Sequence, residues 1–184
     1  MNSVSSAAVP VIETERTILR GHKLEDFEMH AAMWRDPAVT RYTGGKPFTR
    51  EEAWGRYLRY AGLWAVLGFG FWAIEEKATG KLIGGAGFHD LKRDMVPSLE
   101  GIPEAGWGLA SSAHGKGLAT EVVRAMHVWG DGFFASGKTV CIIDPQNSAS
   151  LRVAEKCGYR EVLKTTYRGD ETILFERQAG GKAA

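Results

Sequence analysis

Glu104-Ala105-Gly106-Trp107-Gly108-Leu109-Ala110 leads through Ser111-Ser112-Ala113 into His114-Gly115-Lys116-Gly117, and then into Leu118-Ala119-Thr120-Glu121. The first seven residues of this stretch form a strand whose inner glycines point to a bulge or a close approach of backbone. From Leu118 the pattern turns helical, with Leu118, Val122, Ala125, Trp129 and Phe133 on one face. Gly115-Lys116-Gly117 therefore sits at the head of a long helix. Successive backbone N–H groups at such a position attract an anion, and the helix dipole adds to the attraction.

Which anion is a question of spacing. A Walker loop needs a longer glycine spacing and a lysine followed by serine or threonine, which is absent. A dinucleotide fingerprint needs glycine or alanine where Thr120 stands, inside a compact βαβ unit that the surrounding pattern lacks. A tight loop entering a helix with no ligand at all gives the same Gly-x-Gly pair.

Outward from this centre the chain alternates. Thr17 to Leu19 reads as a strand, followed by a helix carrying Leu24, Phe27, Ala31 and Trp34 and ended by Asp36-Pro37. Thr49-Arg50-Glu51-Glu52 is a capping box that opens a second helix. Phe69 to Ile74 and Leu82 to Phe88 form a hairpin around Ala78-Thr79-Gly80, and 91–102 is a long loop. After the long helix, capped by Gly137, come a buried strand over Thr139 to Ile143 and a short helix from about Ser148 to Lys156, stopped by Gly158. Two strands, about Tyr159 to Thr166 and Glu171 to Glu176, finish the pattern. The order βααβββαβαββ predicts an α+β fold: a mixed, mainly antiparallel sheet flanked by helices. The expected organisation is a loose tail over 1–10, one domain over 11–178 and a second tail over 179–184.

Composition narrows the class further. A chain of 184 residues with 44% hydrophobic and 24% charged residues supports one sizeable core. A net charge of +1 argues against an electrostatic nucleic-acid binder. Two cysteines, Cys141 and Cys157, without metal-ligand spacing fit a reducing, cytoplasmic setting. The histidines form no metal pattern either. The least polar stretch, Ala61 to Ile74, falls short of the roughly 20 residues that a bilayer span needs. Six tryptophans are many for this length, and they serve as core anchors or line a groove.

Taken with Asn147-Ser148-Ala149-Ser150 and Arg152-Val153-Ala154-Glu155-Lys156-Cys157-Gly158-Tyr159, the glycine stretch resembles the GNAT superfamily of acyl-CoA N-acyltransferases. The opening Thr14-Glu15-Arg16-Thr17-Ile18-Leu19-Arg20 and the strand from Gly84 to Phe88 extend the resemblance to nearly the whole chain, from about Glu15 to Arg177. More narrowly, it is similar to the branch of ribosomal-protein N-terminal acetyltransferases. The resemblance implies a GNAT-like fold, acetyl-CoA as cosubstrate without a metal, a primary amine as acceptor (a peptide N-terminus or a small amine), and a homodimer.

Residue roles follow from the same resemblance. Backbone groups of Leu109 and Ala110 would pair with the pantetheine arm. His114 opens the loop on which the N–H groups of Gly115, Lys116, Gly117, Leu118 and Ala119, with the Thr120 hydroxyl, would bind the pyrophosphate. Ser112 stands where the family often has glutamine or arginine. Glu104 takes the place of the general base, because an ammonium with a pKa near 10 must lose its proton before it attacks. Asn147 would contact the cofactor arm, and Ser150 would donate a proton near the sulfur, since Ala154 replaces a tyrosine acid; both residues equally suit helix capping. N–H groups at the Gly108–Leu109 bulge are candidates for stabilising the oxyanion. Trp34, Tyr42, Phe48 and Trp107 are candidates for the acceptor groove or for packing. Glu75, Glu76, Asp90, Asp94 and Glu100 point to a cationic acceptor or to a solvated edge. Two other classes stay open: a non-catalytic acyl-CoA sensor, and a phosphate- or nucleotide-binding protein.

Overall fold

The structure is a computed structural model and describes residues 9–180. Strands β1 (Ile12–Glu13) and β2 (Thr17–Arg20) open the chain. A single 3-10 turn over Leu24–Asp26 leads into α1 (Phe27–Arg35), α2 (Pro37–Thr40) and α3 (Arg50–Leu67). Strands β3 (Phe71–Glu76), β4 (Lys81–His89) and β5 (Glu104–Leu109) follow, then α4 (Leu118–Phe133) and β6 (Lys138–Ile143). The chain closes with α5 (Ser148–Lys156), β7 (Arg160–Tyr167) and β8 (Asp170–Gln178).

All eight strands lie in one sheet, in the order β1-β2-β3-β4-β5-β6-β8-β7. Every neighbouring pair is antiparallel except β5 and β6. A parallel pair needs a crossover, and α4 supplies it. That pair is joined at one point only, Glu104 opposite Val140, where Val140 N donates to Pro103 O at 3.0 Å. On its other side β5 is paired with β4 along its whole length, from Leu109 opposite Gly84 to Glu104 opposite His89. Beyond Glu104, then, β5 and β6 part. Ala110 N donates to Ile83 O, so alternation turns the backbone groups of Trp107 and Leu109 toward the gap.

The β4–β5 register shows no shift, so the expected bulge at Gly108–Leu109 does not form. The glycines make room instead. A Cβ on Gly106 would lie 2.8 Å from the Phe71 ring, and one on Gly108 would lie 3.7 Å from the Trp34 ring. Regular alternation also sorts the strand by face. Glu104, Gly106 and Gly108 look toward α1 and α3, while Ala105, Trp107 and Leu109 look toward α4.

The α4 side holds the main core: Leu19, Trp72, Ile74 and Phe88 from the sheet pack with Leu118, Val122 and Met126. Trp64, Trp72 and Trp129 meet with ring centroids 4.8 to 5.8 Å apart, so three of the six tryptophans are core anchors. The buried stripe of α4 is rotated from the expected one, leaving Phe133 48% exposed while Met126 and His127 are buried. On the opposite face Phe27, Ala31, Trp34, Ala53 and Tyr57 pack α1 against α3.

Several local expectations hold. Thr49 Oγ1 accepts from Glu52 N and Glu52 Oε2 from Thr49 N, at 3.2 and 2.7 Å. Asp36 ends α1 in an extended conformation, and its side chain then caps the short α2 with Pro37 at its first position. Others shift. α4 ends at Phe134 in an extended conformation, so Gly137 closes the next turn rather than capping the helix. Part of the expected N-terminal tail, 1–8, and 181–184 of the C-terminal one lie outside the described residues. Val9 packs on the main core and Pro10 O accepts from Trp72 Nε1 at 2.7 Å, so the chain is anchored from residue 9. Among the described residues no helix is long and apolar enough to cross a membrane.

Candidate active site

Gly115 and Gly117 have φ of +74° and +76°, the left-handed region that glycine enters without steric cost. Gly117 is the N-cap of α4 and brings no side chain to it, so the first helical N–H groups stay free for an outside acceptor. The loop is solvent-exposed from His114 to Gly117. The Lys116 carbonyl is tied off, because Arg16 Nη1 donates to Lys116 O at 2.8 Å. Glu121 in the first turn accepts from Arg16 Nε, Arg16 N and Thr14 Oγ1 at 2.7, 2.8 and 2.6 Å, which offsets its negative charge beside the cradle. These partners lie more than 100 residues away in sequence, and the sequence reading assigned Arg16 no role.

The cradle opens beside the gap between β5 and β6. Of the strand groups expected to meet a pantetheine arm, the Ala110 N–H is taken by Ile83 O, and the Leu109 carbonyl accepts from His114 Nε2 at 2.8 Å. His114 takes up one of the two acceptor positions of that carbonyl. On the far side of the gap, Asn147 caps α5, its Oδ1 accepting from Ser150 N at 3.1 Å. Ser150 is half-buried in the first turn, and Ala154 is fully buried.

Glu104 is 4% exposed. Its carboxylate accepts from Arg93 Nε and Nη2 at 2.6 and 2.7 Å, and His89 Nε2 lies 3.1 Å from Oε1. Burial pushes its pKa up, but the His89 and Arg93 contacts outweigh that and hold it at about 2. This environment suits a fixed anion and works against a general base. A carboxylate held that low is a poor acceptor for the proton of an ammonium of pKa near 10. Arg93 comes from the 91–102 loop, and Tyr167 stacks beneath its guanidinium at 4.6 Å.

The four groove candidates do not converge. Trp34 lies over Gly108 on the Glu104 face, and Phe48 stacks on it at 5.2 Å. Trp107 lies on the opposite face against the main core. Tyr42 sits in the turn after α2, where Arg41 stacks over its ring at 5.3 Å. The acidic residues expected to greet a cation are largely paired: Glu75 with Arg20 at 2.7 Å, and Asp90 and Glu100 with Lys92 at 2.8 and 3.1 Å. Cys157 is buried, its thiol pushed up to about 11 chiefly by that burial, and Cys141 is raised by the same cause. Burial and the raised pKa work against either thiol as a nucleophile.

A mixed sheet that parts at its one parallel pair, with a glycine cradle heading the crossover helix, is the architecture of the GNAT acetyltransferase fold. The chain matches the acetyltransferase (GNAT) domain over residues 16–160 and belongs to that family. It is similar to the uncharacterized protein YkkB of Bacillus subtilis (strain 168), 33% identical over 174 residues that cover 90% of this chain and 94% of YkkB. The uncharacterized N-acetyltransferase p20 of Bacillus licheniformis is 27% identical over 80% of this chain and 81% of its own. Among solved structures, a putative GnaT-family acetyltransferase from Bordetella pertussis superposes with a TM-score of 0.80, 30% identity and coverage of 91% of this chain and 99% of that one. Two others share the fold alone: a putative ribosomal-protein-serine acetyltransferase from Vibrio cholerae, 17% identical over 92% of this chain and 97% of that one (TM-score 0.72), and the aminoglycoside acetyltransferase AAC(6')-Ib in complex with coenzyme A, 20% identical over 88% and 94% (TM-score 0.70).

Proposed function

We propose that this protein is an N-acetyltransferase that moves the acetyl group of acetyl-CoA to a primary amine in a ternary complex. The observation that carries the reading is the uncapped, left-handed Gly115–Gly117 cradle opening onto the gap between β5 and β6. The residues present fit the cofactor. The N–H groups from Gly115 to Ala119 and the Thr120 hydroxyl would hold the pyrophosphate, with Arg16 reinforcing the cradle. Leu109 would pair with the pantetheine arm, and Asn147 would contact it from α5.

When bound, acetyl-CoA supplies the acetyl group as a thioester. The amine's nitrogen forms a bond to the acetyl carbon as the carbon–sulfur bond breaks, and the amine's proton is given up. The Ser150 hydroxyl is the proposed proton donor at the sulfur. A thiol with a pKa of about 8.5 leaves readily, so no strong acid is required. Glu104, held as an anion by Arg93, orients the incoming ammonium; the proton then passes to water rather than resting on the carboxylate. The narrower assignment to the ribosomal-protein branch has only fold-level similarity behind it, and the acceptor is taken up below.

The test is release of CoA thiol from acetyl-CoA with a panel of amines and peptide N-termini. No thiol with any acceptor overturns the proposal. Tight CoA binding without thiol release would instead favour the sensor reading, which the low pKa of Glu104 keeps in view. Thermal stabilisation by CoA, and none by ATP or NAD at matched concentration, excludes the nucleotide reading.

A further inference from the structure

Arg56 and Arg59 stand three apart on α3 and so share a helix face. The Arg56 guanidinium lies over the Trp34 ring at 3.9 Å, and its Nη1 donates to Tyr60 Oη at 3.4 Å. Trp34 in turn rests on Gly108, and Tyr60 stacks on Phe71, which rests on Gly106. This layer therefore covers the same face of β5 from which Glu104 projects.

Among the buried nitrogens without a partner in this layer, beside those of His22, His30 and His89 around it, are two that can only donate. Trp34 is 4% exposed and its Nε1–H is buried without a partner; Arg56 Nε–H is buried without a partner as well. Orphan buried donors are costly, and two of them in one stacked pair mark a place where an oxygen acceptor would be held favourably. Charge says the same. Arg59 is within electrostatic range of Arg56, Arg93 and Arg168. Among the described residues Arg93 alone of these four pairs with a carboxylate, that of Glu104. The face is rich in unmatched positive charge.

We infer that the acceptor is an amine that also carries a carboxylate, which Arg56 and Trp34 hold through their free N–H groups. The inference rests on the acetyl-transfer reading and names its substrate class. The ammonium end lies toward Glu104 and the gap, the carboxylate end toward α3. Amino acids fit this description; polycationic amines meet repulsion from Arg56, Arg59 and Arg168.

Two readouts test it, one of which needs no turnover. The CoA-loaded protein is titrated with N-acetyl-amino acids and with the matching N-acetyl-amino amides, following thermal stabilisation. Stabilisation by the acids and not by the amides is expected. Arg56→Met keeps the stem over Trp34 and should weaken the acids at least about tenfold, the low end of a charged hydrogen bond's worth. Arg56→Lys keeps the charge without the Nε donor and should fall between, which separates lost recognition from lost folding; CoA binding by each variant checks the fold. In parallel, thiol release is compared for free amino acids, their amides and a polyamine. Amides or polyamines that match the acids overturn the inference, as does an Arg56→Met protein that still prefers acids, since water alone would then fill the site. Silence of every amine sinks the acetyl-transfer reading, while the titration still decides whether a carboxylate is held.

Discussion

Replacing Arg93 by methionine should cost stability in a way that depends on pH, because Arg93, together with His89, keeps Glu104 ionised inside the protein. The carboxylate is 4% exposed and takes both of its direct hydrogen bonds from Arg93, with His89 beside it. Its pKa is about 2 in the folded chain against an ordinary 4.5. A depressed carboxylate stabilises the fold above its unfolded pKa, and that stability is lost as pH falls through the folded value. The gap between 4.5 and about 2 corresponds to about 3 kcal/mol at pH 7, falling to roughly half of that at pH 3. Urea unfolding of wild type and Arg93→Met at both pH values measures the difference directly. The variant loses Arg93's share of this, the His89 share remaining, and should be less stable at pH 7 by up to about 3 kcal/mol. The deficit should roughly halve at pH 3. Adding Glu104→Gln to Arg93→Met removes the stranded charge and should recover part of the loss at pH 7, with little pH dependence left. An equal deficit at both pH values, or no recovery in the double variant, would refute the reasoning.

Three further outcomes are expected. Gly117→Ala places a side chain at φ +76°, at a cost of about 1 kcal/mol, and should weaken CoA binding in a calorimetric titration; unchanged affinity would mean the cradle is not the phosphate site. His127 is held neutral by burial, its pKa lowered to about 3, so the unfolded chain alone takes up a proton as pH falls from 6.5 toward 3 and stability drops across that window. His127→Phe should flatten this part of the pH–stability curve, and an unchanged curve speaks against a neutral buried imidazole. Both thiols should resist a soluble disulfide reagent in the native protein and react on unfolding, since burial raises the pKa of Cys141 and Cys157 alike. Rapid native labelling of either would contradict the packing around it.

What the sequence disclosed was local chemistry. The Thr49 capping box, the span of α5 and the strand–loop–helix around Gly115 each depend on residues within a few positions of one another, and each formed as read. Their order predicted the mixed, mainly antiparallel sheet, and the GNAT fold was what the family resemblance implied. What stayed hidden depends on partners far along the chain. Gly106 and Gly108 looked like a bulge because nothing in their own strand reveals that the Phe71 and Trp34 rings must lie against them. The two residues of β1 are too few for a period to register. Arg93 was lost in an aperiodic loop, although its contact with Glu104 redefines what that carboxylate can do. Arg56 reads as an ordinary helix arginine until Trp34 is placed beneath it.

The charge of the acceptor shows why placement matters more than composition. Counted along the chain, Glu75, Asp90 and Glu100 suggest an acidic edge that would attract a cation. In space each is matched by a cation of its own, Arg20 or Lys92. An ion pair already formed presents little net field to a ligand, so these acids lose their claim on specificity. The residual field belongs to the charges left over, and around the Glu104 face those are guanidiniums on α3 and in the β7–β8 turn. Glu104 offsets only part of them, because it shares its charge with Arg93. A site assembled this way selects its acceptor by what the fold leaves unpaired: one buried carboxylate, already spoken for, marks where the amine goes, and unmatched arginine marks where an anion must follow.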